Sequence, residues 1–441
     1  MVTVPDFRRT VAQRIYYGWV IVVACFLASL LVFGTTYTFS VFADEFVREF
    51  DASTAKIATV FGIQTALIYA GAVGAGRIVS RYGQRLTVVF SGVLMSAGLV
   101  TTAFVRSYVG LISTFGVVTA VGMAGLYVVG YSTVPLWFER RRGTAALMSS
   151  AGLGIGLVTV PPGTSFTIEA IGWRGAIIGI GAVAFVGSIV AAVLFADRPS
   201  DVGADRSHEF DREAWNDGAA VTDGEQSERR ASTRLEPTRG ENRESVAATG
   251  GMRFRLPPTA FLLVFVGWVL IFAPMYAIMS HVVLLTIEIG LGRSVGVLAI
   301  TTIGVSTTAA RIGIALVSNW FGRVRTFVTC SAAMGLSTIG LPLASTTVTF
   351  LLLVVAFGVG YGGSGGLIGT IVADLFGTEG QVMSFATLSL AFAVSGLIAP
   401  PLTGFGLSLT GSYAPIMGLL GIVGVVGAGC VTIAGRLLDA E

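Results

Sequence analysis

Apolar runs of about 20 residues recur along this chain, separated by short stretches rich in charge, glycine or proline, and that rhythm predicts helices rather than strands. Six runs fall at 18–41, 55–76, 86–105, 109–137, 144–166 and 174–196. Six more fall at 259–286, 294–318, 326–345, 348–373, 381–408 and 412–435. Each is long enough to cross a hydrocarbon layer of about 30 Å. The expected fold is an all-α membrane protein, with twelve transmembrane helices in two six-helix bundles, residues 1–196 and 258–441. The segment between them, 197–257, carries thirteen acidic residues and ten arginines by position 255 and few aromatics. It cannot bury enough apolar surface to fold, and is expected to be a disordered linker.

Composition sharpens this picture. Apolar residues make up 54% of the chain and charged residues 12%, with a mean hydropathy of +0.81, so lipid is the expected solvent. A net charge of +3 gives nucleic-acid binding no support. Arginine placement sets the expected topology: Arg8, Arg9, Arg14, Arg77, Arg81, Arg85, Arg140, Arg141, Arg142, Arg323, Arg325 and Arg436 share one side, against Arg48, Lys56, Arg106, Arg174 and Arg293 on the other. Such charges resist translocation, so both termini and the linker are expected in the cytoplasm of a plasma-membrane protein. Cys25, Cys330 and Cys430 sit in apolar spans without CxxC or Cys/His spacing, which predicts buried thiols and no metal or cofactor. The glycine-rich helices lack the Gly-Lys-Ser/Thr ending of a phosphate loop, so ATP-driven pumping and membrane enzymology are not expected.

Two kinds of residue break the apolar pattern inside the spans. Arg311 lies mid-helix between Thr301 and Ser318, where a charge costs at least about 2.5 kcal/mol and normally faces a bundle interior or water-filled cavity. No Asp or Glu lies near the centre of any span; Glu139 and Asp374 stand at span ends. Arg311 is therefore read as a carboxylate-binding residue, the alternative being a structural role on backbone carbonyls. Tyr127 and Tyr131 share one helix face, and Tyr361 opens the Gly362–Gly366 stretch; their hydroxyls could complete a polar shell, or merely pack. Tyr37, Gln64, Tyr69 and Tyr276 are further candidate pore groups. His281 is the only central side chain whose unperturbed pKa lies near neutrality.

The halves echo one another, as a transporter built from repeats should. Gly76–Gly83 parallels Ala315–Gly322, and Pro161-Pro162 parallels Pro400-Pro401, where the proline pairs are expected to loosen helices 5 and 11. The stretch from Gly76 resembles the major facilitator motif G-x-L-A-D-R-x-G-R-(K/R), with Gly76, Arg81, Gly83 and Arg85 in register and Ser80 in place of the usual Asp. That resemblance implies a cytoplasmic gate at these four residues. Tyr16-Tyr17-Gly18-Trp19, Trp137-Phe138 with Arg140–Arg142, Ala145 and Ala151-Gly152, and His281 with Arg311 look like the monocarboxylate transporter and oxalate/formate antiporter branch. Thr144 and Leu147 depart from it, where the branch favours Leu and Gly.

The branch resemblance implies that His281 and Arg311 line a substrate site. Oxalate carriers of this branch place a second cation in helix 11, whereas Gln381–Ser408 here has no Lys or Arg. The expectation is a monomeric, non-enzymatic secondary transporter of a small monocarboxylate such as lactate or pyruvate, with a proton as coupling ion, His281 as the coupling residue and no cofactor. The alternatives are an oxalate/formate-type anion exchanger, or a non-transporting receptor on the same scaffold.

Overall fold

A computed structural model describes residues 16–138, 142–197, 202, 258–376 and 381–439. All regular structure among them is helical. In chain order the helices are α1 Gly18–Glu49, α2 Thr54–Tyr82, α3 Gln84–Thr102 and α4 Tyr108–Ser132. A single assignment, Arg142–Leu194, follows and contains two helices, because Gly172 breaks it with φ 78°; these are α5 (142–171) and α6 (173–194). The second half comprises α7 Pro258–Glu288, α8 Arg293–Phe321, α9 Arg323–Gly340, α10 Thr347–Phe376, α11 Gln381–Thr410 and α12 Tyr413–Asp439. Among the described residues, eleven stretches are long and apolar enough to cross a membrane, and one of them, Ala145–Leu194, is 50 residues long and spans the break at Gly172. The chain is a multi-pass membrane protein, with twelve long helices among the described residues. The linker, apart from residues 197 and 202, and the arginines at 8, 9, 14, 140 and 141 lie outside the described residues.

Two helices of the first half run further than the hydropathy pattern alone indicates. α1 continues to Glu49 because Phe42 and Phe46 extend its apolar face to meet Phe115 and Trp173. α2 runs on to Tyr82, so the motif stretch from Gly76 is mostly helix, and the turn is the single residue Gly83 at φ 84°. Gly322 makes the equivalent turn between α8 and α9 at φ 83°. The interval from Gly83 to Gly322 equals that from Pro161-Pro162 to Pro400-Pro401, so the two halves are in register as repeats.

The two aromatic motifs at the start of α1 and the end of α4 prove to be contact partners. The Tyr16 hydroxyl donates to the Trp137 carbonyl, Tyr17 donates to the Leu194 carbonyl at 2.9 Å, and Phe138 lies edge-on to Tyr16 and Trp19. They tie α1, α4 and α6 together at the face that carries the chain ends.

The bundles meet along α2 against α11 and α5 against α8. Pro400 and Pro401 lack N–H groups and so release the carbonyls of Gly396 and Leu397 from the helix ladder. Those two carbonyls face Gly62, where an added β-carbon would lie 3.2 and 2.9 Å from their oxygens. At Gly404 it would lie 2.6 Å from the Ala55 backbone. Only glycine permits such an approach. Further along α2, toward the terminus-bearing face, Gly74 and Gly76 have nothing within 4 Å of that position.

Candidate functional site

Arg311 projects from α8 toward α10, and the glycines of α10 make room for it. A β-carbon at Gly365 would sit 3.2 Å from Arg311 Nη2, and one at Gly366 would sit 3.6 Å from its Cγ. Gly362 and Gly363 admit Thr307 and Ile314 of α8 in the same way, so Gly362–Gly366 forms a trough along which α8 and its arginine lie. Thr307 fixes the pair by donating to the Gly358 carbonyl at 3.1 Å. The guanidinium has no salt-bridge partner among the described residues, and its Nε is buried without a hydrogen-bond partner.

Around it stand tyrosines from both bundles. Tyr131 of α4 stands within hydrogen-bonding reach of the guanidinium, while Tyr69 of α2 and Tyr361 of α10 lie within its field. Tyr127 and Tyr131 lie tilted against one another with ring centroids 5.0 Å apart, and Tyr69 meets Tyr127 edge-on at 5.2 Å. The Tyr37 and Tyr361 hydroxyls are 3.2 Å apart and join α1 to α10. Tyr276 of α7 abuts Tyr69. Phe33, packed on Tyr37, Tyr127 and Tyr131, and Phe392, packed on Tyr69, Trp268 and Phe272, close the walls.

Exposure runs in one direction through this ring. Tyr131 is 37% exposed, whereas Tyr361, Tyr37 and Tyr276 are buried at 5%, 1% and 1%. The ring is thus accessible from the Tyr131 side and sealed behind Tyr37 and Tyr276. Beyond the seal, Arg293 at the start of α8 reaches into the other bundle. It donates to Glu45 Oε1 at 2.9 Å and to the Val41 carbonyl at 2.9 Å, with Asp44 at 3.8 Å.

The structure brings Arg311, Tyr127, Tyr131 and Tyr361 into one ring, with Tyr37, Tyr69 and Tyr276 beside them. His281 is not brought to them. It lies five residues beyond Tyr276, a rotation of about 140° around the helix, and its two ring nitrogens meet the Tyr413 hydroxyl at 3.0 Å and the Pro400 carbonyl at 2.9 Å. A carbonyl only accepts, so Nε2 carries the proton and Nδ1 accepts from Tyr413 in the neutral ring. Gln64 also faces elsewhere, donating to the Phe115 carbonyl within the first bundle. The four gate candidates lie at the open face: Arg81 rests over the Tyr82 ring, and Asp197 accepts from the Arg85 backbone at 3.1 Å beside Gly83, while Gly76 sits in the last turns of α2. These described contacts stay within their own bundle. Sequence reading missed Phe33, Phe392 and the reach of Arg293. Phenylalanine in an apolar helix carries no distinguishing signal, and the partner of Arg293 lies about 250 positions away.

The family described as the Major Facilitator Superfamily matches residues 25–400. Among curated proteins the chain is 26% identical to monocarboxylate transporter 2 of Rattus norvegicus, over 96% of this chain and 85% of the relative. It is 25% identical to monocarboxylate transporter 11 of Mus musculus, over 90% and 83% respectively. Among solved structures it matches a bacterial homologue of the human lysosomal transporter Spinster, in an inward-facing and unoccupied conformation. That match has a TM-score of 0.69 and 16% identity, covers 96% of this chain and 98% of the other, and speaks to the fold alone.

Proposed function

This chain belongs to the Major Facilitator Superfamily, and we propose that it is a secondary active transporter of a small organic monocarboxylate, moved with a proton by alternating access between the two bundles. It is a transporter rather than an enzyme, as its family and its relatives show. The observation that carries the substrate class is Arg311: a guanidinium among tyrosines, with a buried Nε lacking a partner and no acidic side chain on it among the described residues. A carboxylate matches its planar fork and neutralises it, and the tyrosine hydroxyls donate to what the fork leaves free. The monocarboxylate transporters among its relatives support the same class.

In this reading Arg311 and Tyr131, at the accessible end, receive the anion; Tyr127 and Tyr361 complete the shell. The state described is closed where α2 meets α11 and where Arg293 meets Glu45, and open toward the chain ends. With the arginine-rich face in the cytoplasm of the plasma membrane, it is a cytoplasm-facing state. Gly76, Arg81, Gly83 and Arg85 then lie at the mouth that must close when the bundles rock. His281 serves coupling at a distance from the anion: a proton on Nδ1 would oblige the Tyr413 hydroxyl to turn from donor to acceptor, altering the contacts of α7 with α11 and α12 on the sealed side.

One fixed cation balances one carboxylate. A second anionic group in this low-dielectric ring would lack a partner, at a cost of several kcal/mol. Competition against uptake of labelled lactate into proteoliposomes is therefore expected to rank lactate and pyruvate above oxalate and malonate. Stronger competition by oxalate than by any monocarboxylate overturns the assignment.

A further inference from the structure

Away from the ring, the first bundle contains a groove of about 400 Å³ between α1, α5 and α6. Phe33 of α1 faces the ring, and Thr35, two residues on and so about 200° round the helix, faces the groove. The groove exists because small residues draw α5 and α6 toward other partners. α5 lies against α1 where Gly156 meets Gly34, and against α8 where Gly154 meets Gly304. α6 lies against α3, where Gly181 meets Val100 and Gly92 admits Ser188. Between α5 and α6 themselves, a β-carbon at Gly163 or Gly179 would meet no atom within 4 Å, and both glycines are exposed. The two helices therefore leave a lateral gap just beyond Pro161-Pro162.

Residues 159, 163 and 167 recur at one helical turn on α5, and 176, 180 and 184 do so on α6, so two stripes line the gap along its length. No charged residue lines it. Thr159, Thr164 and Thr167 donate their hydroxyls to the carbonyl one turn back, at 2.8, 2.7 and 2.7 Å, as threonines in apolar helices ordinarily do. Water needs two to four polar partners and finds too few here, while the gap opens within the spans, where the solvent is hydrocarbon. Thr35 differs from the other three. It is 4% exposed, it makes no hydrogen bond among the described residues, and the surface it keeps borders the groove. Along α1 it lies toward the sealed side, as Thr167 does along α5 and Ala176 along α6. Ala176 is about 5 Å from the start of α6, so this end of the groove lies near the membrane surface.

We infer that the groove binds one acyl chain of a membrane phospholipid from the leaflet on the sealed side, with the chain's ester carbonyl accepting from the Thr35 hydroxyl. An acyl chain is long, narrow and free of polar atoms, which matches the two stripes, and the bilayer supplies it laterally past Gly163 and Gly179. Its ester carbonyl, an acceptor only, stands at the surface end, where Thr35 offers the unused donor. The chain would lie against α5 just beyond the proline pair, where the helix lacks two of its own hydrogen bonds. Occupancy thus stiffens the loosened part of the helix that meets α8 of the other bundle. This inference is independent of the substrate carried.

The test places the full-length protein in phosphatidylcholine vesicles that contain a trace of phosphatidylcholine with a photoreactive diazirine in its chain, and maps the labelled peptides by mass spectrometry. Labelling is expected to concentrate on residues 159–167 and 176–184. Gly163→Leu combined with Gly179→Leu fills the groove without a clash at either β-carbon, and is expected to lower that labelling about fivefold or more relative to the other lipid-facing helices. Thr35→Val removes the hydroxyl at nearly constant shape. It is expected to lower labelling by the ester lipid about threefold, and to leave labelling by an ether-linked analogue, which lacks the carbonyl, unchanged. Wild-type labelling spread evenly over the lipid-facing helices, or undiminished groove labelling in the double variant, overturns the site. Equal responses of the ester and ether lipids to Thr35→Val overturn the ester contact.

Discussion

The two sides of the ring are built from different materials. On the sealed side the bundles touch through backbone: Gly62 against the carbonyls freed by Pro400 and Pro401, Gly404 against Ala55, and one arginine, Arg293, held by Glu45 and the Val41 carbonyl. On the open side charged side chains dominate, and Arg81 and Arg85 are exposed. Backbone contact through glycine is close but weak per residue, so it can part without stranding charges in lipid. The arginine-rich open side carries its charge where water reaches it, and the ring with Arg311 lies between the two. The contrast teaches that a rocking fold can seal one face with shape and dress the other with charge.

Filling the glycine seam should break this contrast most severely. In Gly404→Leu the new β-carbon would collide with the Ala55 backbone, which cannot yield as a flexible side chain could. The variant is expected to fold, since α11 keeps its helix, but to remain parted at that face and lose at least about 99% of transport, a barrier of roughly 2.7 kcal/mol or more. A cysteine placed near Glu45 would report the parting through faster labelling. Normal transport and unchanged labelling would show that the seam does not close the protein.

A smaller and more selective effect is expected from His281, which ties α7 to α11 and α12 on the same side. His281→Gln is expected to alter the dependence of uptake on pH, while binding of the acid at a fixed pH changes little. An unaltered profile would place the coupling proton elsewhere, such as on the substrate.

How far the sequence reaches is seen by following particular residues. Arg311 stood out because a charge in mid-span has few physical excuses, and Tyr127 with Tyr131 followed from spacing four apart; both signals are local. The two aromatic motifs also had a local signature, but their contact, from Tyr16 to Trp137, joins segments 121 positions apart. The same limit hid the partner of Arg293. The partners of His281 were hidden too: family likeness grouped it with Arg311, while in this state its ring nitrogens meet Tyr413 and the Pro400 carbonyl, from segments more than 110 positions away. The continuation of α2 through Gly76 to Gly83 escaped a hydropathy reading because Arg77 and Arg81 read as loop although their backbone is helical.

The account turns on one guanidinium receiving one carboxylate. Its most direct test is the affinity of purified protein for lactate in the wild type and in Arg311→Lys, which keeps the charge and removes the planar fork. Loss of the second hydrogen bond predicts an affinity about tenfold or more weaker in the variant, corresponding to about 1.4 kcal/mol or more, with the folded fraction and thermal stability of the empty protein unchanged. Equal lactate affinity in the two proteins would contradict the account, because the anion would then be held somewhere other than on Arg311.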